Sequence, residues 1–281
     1  MAETLTDTSL SAVLNALSAQ RDPGKLRTSV MTHLVWAPKE WLAKAERVLA
    51  DMAEQHPSRT VFLIPEPRRK DGLDASVDTY AFEIEGSGRS VMTEVVELRL
   101  RGERARAPAS IVMPLLISDL PVFCRWRGEP PWGSDELGQI LGVVDRLVVD
   151  SSEWGGLPRA YERLAELFER VAVSDIAWTR TGAWRARLAE QWPDIRLAGG
   201  LEVTGPHADS LLLAGWLRSR LRKQVDLEWR SGRVLRRVVV DGSKIEPPGD
   251  PLPTPAELLS EQLEVLTRDP IFEAAVRSAV D

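Results

Sequence analysis

Two short segments hold the side chains best suited to chemistry: residues 120–133, LPVFCRWRGEPPWG, and residues 150–154, DSSEW. The first supplies Arg125, Trp126, Arg127 and Trp132; the second supplies Asp150, Ser152, Glu153 and Trp154. Three uses are open to such a set. In an active site, Asp150 or Glu153 is the general acid or base and the arginines clamp an anion. In a docking surface, Trp and Arg are the types that dominate binding hot spots, and Pro130 and Pro131 order the loop before it binds. In an internal network, the arginines pair with carboxylates and join the loops. The catalytic use needs a nucleophile, base or cofactor that the sequence does not announce. The docking use needs none.

The motifs that would announce one are missing. There is no GxxxxGK[ST] and no GxSxG. Gly86-Ser87-Gly88 has Val91 where a dinucleotide fingerprint needs its third glycine, and it falls in a hairpin rather than at a helix start. The three histidines, His33, His56 and His207, do not stand at metal-ligand spacing, and Cys124 is the only cysteine. No catalytic residue, metal site or cofactor is therefore expected. A lone cysteine cannot close an internal disulfide, and MAETLTDTSL lacks the basic start and apolar run of a signal peptide, so a cytoplasmic protein is expected. A net charge of −6 argues against a nucleic-acid partner, and no run of eighteen apolar residues is present to span a membrane.

The elements that must position these residues follow from periodicity. TSVMTHLVWA (28–37) and SRTVFLIP (58–65) read as buried strands joined by a helix from Pro38, so they are expected to be parallel. VDTYAFEI (77–84) and TEVVELRLRG (93–102) alternate as antiparallel strands, Tyr80, Phe82 and Ile84 against Thr79, Ala81 and Glu83, with the turn at EGSG (85–88). Strand 120–126, a helix capped by Ser134, and strand 146–150 make a second βαβ unit. Its geometry sends the carboxyl ends of both strands, and hence the two segments above, to one sheet edge, where open α/β sheets bind ligands. If 28–37 and 58–65 join the same sheet, Trp36 and Arg68-Arg69-Lys70 arrive there too. Further on, helix 158–171, a helix after Thr181, strand 196–204, helix 207–222 and strands 225–229 and 233–240 are expected, the last two joined by a tight turn at Ser231-Gly232. Thr254 and Glu257 form a capping box, and Asp269-Pro270 opens the final helix.

The expected fold is α/β: two mixed-sheet modules built from βαβ units with antiparallel hairpins, followed by a helical C-terminal tail. The segments are a loosely held 1–26 with a short helix at Ser9–Ala19, an N-terminal α/β domain over 27–155, a second over 156–250, and a Pro-rich connector with helices over 251–281.

Several stretches resemble the glucose-6-phosphate dehydrogenase assembly protein family, OpcA. They are HPSRT (56–60), EVVELRLRG (94–102), SDLPVFCRWRGEPPW (118–132), DRLVVDSSEW (145–154), SDIAWTRTGAWR (174–185) and LLAGWLRSRL (212–221). The resemblance implies a non-catalytic partner that binds glucose-6-phosphate dehydrogenase in the oxidative pentose phosphate pathway and favours its active state by assembly or allosteric activation. It brings no catalytic residues to carry over, and a single cysteine excludes an intrachain dithiol switch. The competing expectation is an enzyme or sensor that binds a phosphorylated sugar or nucleotide at the carboxyl edge of the N-terminal sheet.

Overall fold

A computed structural model describes residues 2–20, 29–52, 56–84, 89–249 and 251–280. The chain forms two compact units, Met1–Val148 and Val149–Asp281.

In the first unit the elements are β1 (Glu3–Leu5), α1 (Leu10–Ala19), β2 (Met31–Trp36), α2 (Lys39–Met52), β3 (Ser58–Glu66), β4 (Gly72–Ile84) and β5 (Arg89–Arg101). They continue with α3 (Pro108–Val112), β6 (Val122–Trp126), α4 (Asp135–Leu141) and β7 (Arg146–Val149). Within this unit the larger sheet runs β1-β4-β5-β3-β2-β6-β7. Helical crossovers make β2 parallel to β3 and β6 parallel to β7, and β2 also pairs parallel with β6. All six residues of β2 are buried, as expected of a parallel strand covered on both faces. Ala45 of α2 closes one face over Val35, Phe62 and Ile64.

The antiparallel half behaves differently. β4 and β5 pair along their whole lengths, and the turn expected at 85–88 lies outside the described residues. β4 starts earlier than its sequence pattern suggests, and this decides its faces. Leu73, Ala75 and Val77 point inward, opposite Leu100, Leu98 and Val96. The two-residue period then puts Tyr80 on the outer face, where it is 49% exposed; the side chains of Phe82 and Ile84 lie outside the described residues. On β3 and β5, Arg59 and Glu94 are register partners and form a buried ion pair at 2.7 Å. The segment expected to be loosely held contributes two ordered elements. β1 pairs with β4, and α1, capped by Ser9, buries Val13 and Leu17.

The second unit contains α5 (Ala160–Leu167), β8 (Ala172–Asp175), α6 (Ile176–Arg180), α7 (Gly182–Ala189), β9 (Gly200–Gly205) and α8 (His207–Leu221). It ends with β10 (Asp226–Ser231), β11 (Arg237–Val240), β12 (Ser243–Ile245), α9 (Pro255–Leu263) and α10 (Pro270–Ser278). Its four-stranded sheet has the order β10-β9-β11-β12. The expected turn between β10 and β11 is not a hairpin, because β9 lies between them. The α8 crossover returns β10 parallel to one side of β9, and β11 takes the other side antiparallel. The module therefore shares only its strand–helix–strand start with β2-α2-β3. Strand 196–204 is shortened by a 3-10 turn over Asp194–Leu197, and helix 158–171 is trimmed to α5. The C-terminal helices pack into the unit. Phe272 meets Phe168 and Trp178 at 5.7 Å each. Gly215 lets α8 approach α10 so closely that a Cβ there would stand 2.1 Å from the Ala275 carbonyl oxygen. Thr254 and Glu257 close the capping box, and Asp269 caps α10.

Candidate functional site

Residues 120–132 belong to the first unit and 150–154 to the second.

β6 is a central strand, and its position decides its side chains. The register places Trp126 opposite Trp36, and their rings stack at 4.5 Å, 12° from parallel. Arg125, Trp126 and Arg127 are all buried. Arg125 donates through Nη1 to the Trp126 carbonyl and, at 3.5 Å, to the Val148 carbonyl. The Arg127 amide donates to the Trp36 carbonyl at 2.9 Å, and its guanidinium lies 4.8 Å over the Trp41 ring. Gly128, at φ +75°, turns the chain where a side chain would press on Trp41 Nε1. Trp132 is half-buried and donates from Nε1 to Glu129 at 3.0 Å. Ser134 then caps α4. The loop is thus held by its own side chains before any partner arrives.

The neighbouring reactive groups are silenced. Burial, with Arg125 nearby, lowers the His33 pKa to about 3, so this imidazole is neutral at physiological pH. Burial pushes the Cys124 thiol up to about 12, leaving almost no thiolate to react.

At the carboxyl ends of β2 and β3 lies a cavity of about 470 Å³. Trp36, Pro65 and Pro67 form its apolar wall; Arg106, Asp135 and Glu136 are its charged groups. Arg106 is itself paired with Glu103 at 3.1 Å. Two carboxylates against one engaged guanidinium are the wrong balance for cradling a phosphate.

In the second unit, the DSSEW segment enters a buried polar cluster. Arg180 grips two carboxylates, each through two nitrogens: Asp150 at 3.1 and 3.2 Å, and Asp209 at 2.9 and 3.1 Å. Asp150 also accepts from the Ser152 hydroxyl at 2.6 Å. Asp175 caps α6 by accepting from the Ala177 amide, and it accepts from the Ser151 amide at 3.0 Å. The hydroxyls of Ser151 and Tyr161 lie 2.8 Å apart. Ser152 is exposed, Glu153 half-buried, and Asp150 and Trp154 buried, the last with its ring 6.0 Å from Tyr161.

The electrostatics favour a structural cluster. Burial raises the Asp175 pKa to about 7, and the Asp150 charge adds to it. Burial also raises Asp209, outweighing the Arg180 bonds that oppose it. Burial acts to lower Arg180, but Asp150 and Asp209 together hold it protonated. Burial first, then the Asp175 charge, pushes Tyr161 well above its usual value, so it is no base for Ser151. Nε, Nη1 and Nη2 of Arg180 are all committed to carboxylates. Asp175, Arg180, Asp209 and Tyr161 join the cluster without belonging to either segment rich in chemistry-bearing residues. The available signals were an Asp just before a short helix and a lone Arg closing an otherwise apolar turn. Among the described residues, no group of three or more His, Cys, Asp or Glu could hold a metal ion. Among them too, no helix is long and apolar enough to cross a membrane.

Residues 49–166 match a family model described as the glucose-6-phosphate dehydrogenase subunit N-terminal domain, OpcA_G6PD_assem. The match takes in both segments discussed above. The matched region is similar to the OpcA family of glucose-6-phosphate dehydrogenase assembly proteins. Two curated relatives agree, each named "Putative OxPP cycle protein OpcA". The one from Nostoc punctiforme is 26% identical over 189 residues, covering 63% of this chain and 41% of the relative. The one from Synechocystis is 25% identical over 183 residues, covering 61% and 38%. The OpcA match thus spans about two fifths of the length of these relatives.

Proposed function

We propose that this chain is a non-catalytic partner of glucose-6-phosphate dehydrogenase that favours the enzyme's active state, acting in the cytoplasm without cofactor, nucleic acid or membrane. The observation that carries the reading is the match to the assembly-family model over 49–166, a region in which Asp150 and the Ser151 amide are bonded to Arg180 and Asp175 rather than left open for catalysis. To shift the enzyme, the chain must bind the active conformation or assembly more tightly than the others. A coupling of about 1–3 kcal/mol corresponds to a roughly 5–150-fold change in affinity.

Burial divides the eight candidate contact residues. Trp132, Ser152 and Glu153 are accessible and are the proposed contacts. Arg125, Trp126, Arg127, Asp150 and Trp154 are buried, and in this reading they shape the loops that present the others.

The test is dehydrogenase kinetics with and without the protein, paired with size-exclusion analysis of the mixture. Activation or a larger enzyme species is the expected result; unchanged activity and unchanged size would sink the reading. The small-ligand alternative rests on the cavity beside Trp36, and its acidic balance weighs against a phosphorylated ligand. A large thermal shift of the isolated protein with glucose 6-phosphate or NADPH would favour that alternative.

A further inference from the structure

The outer strand of the second sheet is self-complementary. β10, with the sequence DLEWRS over Asp226–Ser231, is an edge strand, and five of its six residues are exposed. Its inner side is occupied: the amides of Asp226 and Gly232 donate to the carbonyls of Gly199 and Gly205 across from β9. Along a strand these directions alternate, so the N–H and C=O groups of Leu227, Trp229 and Ser231 point away from the sheet. Among the described residues no strand pairs with that side.

An edge left open in this way is a template for another strand. Natural edges are blunted by charged side chains, proline or bulges. β10 has no proline, and its charged face, Asp226, Glu228 and Arg230, carries both signs, so the acidic and basic ends can answer each other. On the other face Trp229 is 41% exposed yet held in place. Its ring stacks on His207 at 4.3 Å, and its Nε1 donates to the Gly205 carbonyl at 2.9 Å. A fixed, half-exposed Trp loses little side-chain entropy on binding.

We infer that β10 is a homotypic docking strand, pairing antiparallel with β10 of a second copy about a two-fold axis through Trp229. The register follows from the backbone and the charges together. Outward groups must face outward groups, so Trp229 stands opposite the second Trp229, and Leu227 opposite Ser231. Each of these residues then donates one bond and accepts one across the axis. The same register sets Glu228 against Arg230 on both sides of the axis, and Asp226 against Gly232. Slipping either strand by two residues brings Glu228 against Glu228 or Arg230 against Arg230. The partner that fits is a second copy because the contact is isologous: each half of the strand complements the other half. The four-stranded sheet becomes a continuous sheet of twice that width. A single strand pair buries less than the roughly 1,200 Å² of a standard interface, so the association is concentration-dependent.

Sedimentation of the full chain from about 1 to 200 μM, with hydrogen exchange of residues 226–231 followed over the same range, tests this. The weight-average mass rises towards that of a dimer, and the amides of Leu227, Trp229 and Ser231 become protected as it does. Glu228→Arg and Arg230→Glu each place like charges on both sides of the axis and weaken association roughly tenfold. The double variant E228R/R230E restores it to within about threefold. Both side chains are exposed, so an unchanged thermal transition confirms that the variants fold. A monomer at about 200 μM overturns the inference. So does a dimer indifferent to the two single substitutions, or protection of β10 that appears only when the dehydrogenase is added.

Discussion

β6 and β10 are built from similar residues and come to opposite ends. β6 reads VFCRW, followed by Arg127, and β10 reads DLEWRS; each sets a Trp beside an Arg. In β6 the Trp is buried against Trp36 and the Arg is enclosed with it. In β10 both are exposed. Position in the sheet makes the difference. β6 has parallel neighbours on both sides, so its backbone bonds are closed and its side chains are covered. β10 has β9 on one side and, among the described residues, no strand on the other. A Trp/Arg-rich stretch is therefore no marker of a docking surface until its strand's neighbours are known.

The sharpest way to break this contrast is to remove the aromatic from each strand. Trp126→Ala should cost about 3–5 kcal/mol in urea unfolding, the range for emptying a buried aromatic site. Trp229→Ala should cost about 1 kcal/mol, because the ring is already half in water. Equal losses would mean that β10 is as enclosed as β6.

Next in size is the carboxylate cluster of the second unit. Asp175→Asn keeps the oxygen that accepts from the Ser151 and Ala177 amides and removes the titration. The carboxyl is raised from near 3.9 in the unfolded chain to about 7 in the folded one, so the folded state holds its proton more tightly. Its contribution is greatest below the unfolded value and is lost as pH rises to about 7. The stability of wild type relative to the variant should therefore fall by on the order of 2–4 kcal/mol between pH 4 and 8. A flat difference across that window would show that Asp175 is ionised throughout.

A smaller effect is expected on β6 itself. Cys124→Ala should cost about 1–2 kcal/mol, and the native thiol should resist alkylation at pH 8 until denaturant is added. Rapid labelling of the folded protein would place Cys124 within reach of solvent. Smallest of all, Glu228→Arg should change the stability of the isolated chain by no more than about 0.5 kcal/mol, its effect being confined to association.

How far the residues alone could be read varies along the chain. The parallel strands 31–36 and 58–66, the caps at Ser134, Thr254 and Asp269, and the antiparallel pairing of β4 with β5 follow from short-range patterns. The alternation over 77–84 left open which set faces inward; Leu73, Ala75 and Val77, upstream of that stretch, set the inward face of β4 and leave Tyr80 outside. The turn at Ser231-Gly232 looked like a hairpin because two strands flank it, whereas β9 separates them. The buried cluster was half visible. Asp150 and Ser152 stood out, but Arg180 and Asp209 lie about thirty and sixty residues further on.

Residue order alone carries the period of each element, the helix caps, the lack of a phosphate loop or metal-ligand spacing, and the motifs that resemble the OpcA family. These depend on neighbours a few residues apart, or on which residue types are present at all. Only the tertiary structure decided which arginines and tryptophans meet water, which carboxylates share Arg180, and which strand is left with an open edge. Those outcomes depend on contacts between residues far apart in the chain, and burial, not residue type, then sets the charge and reactivity of each group.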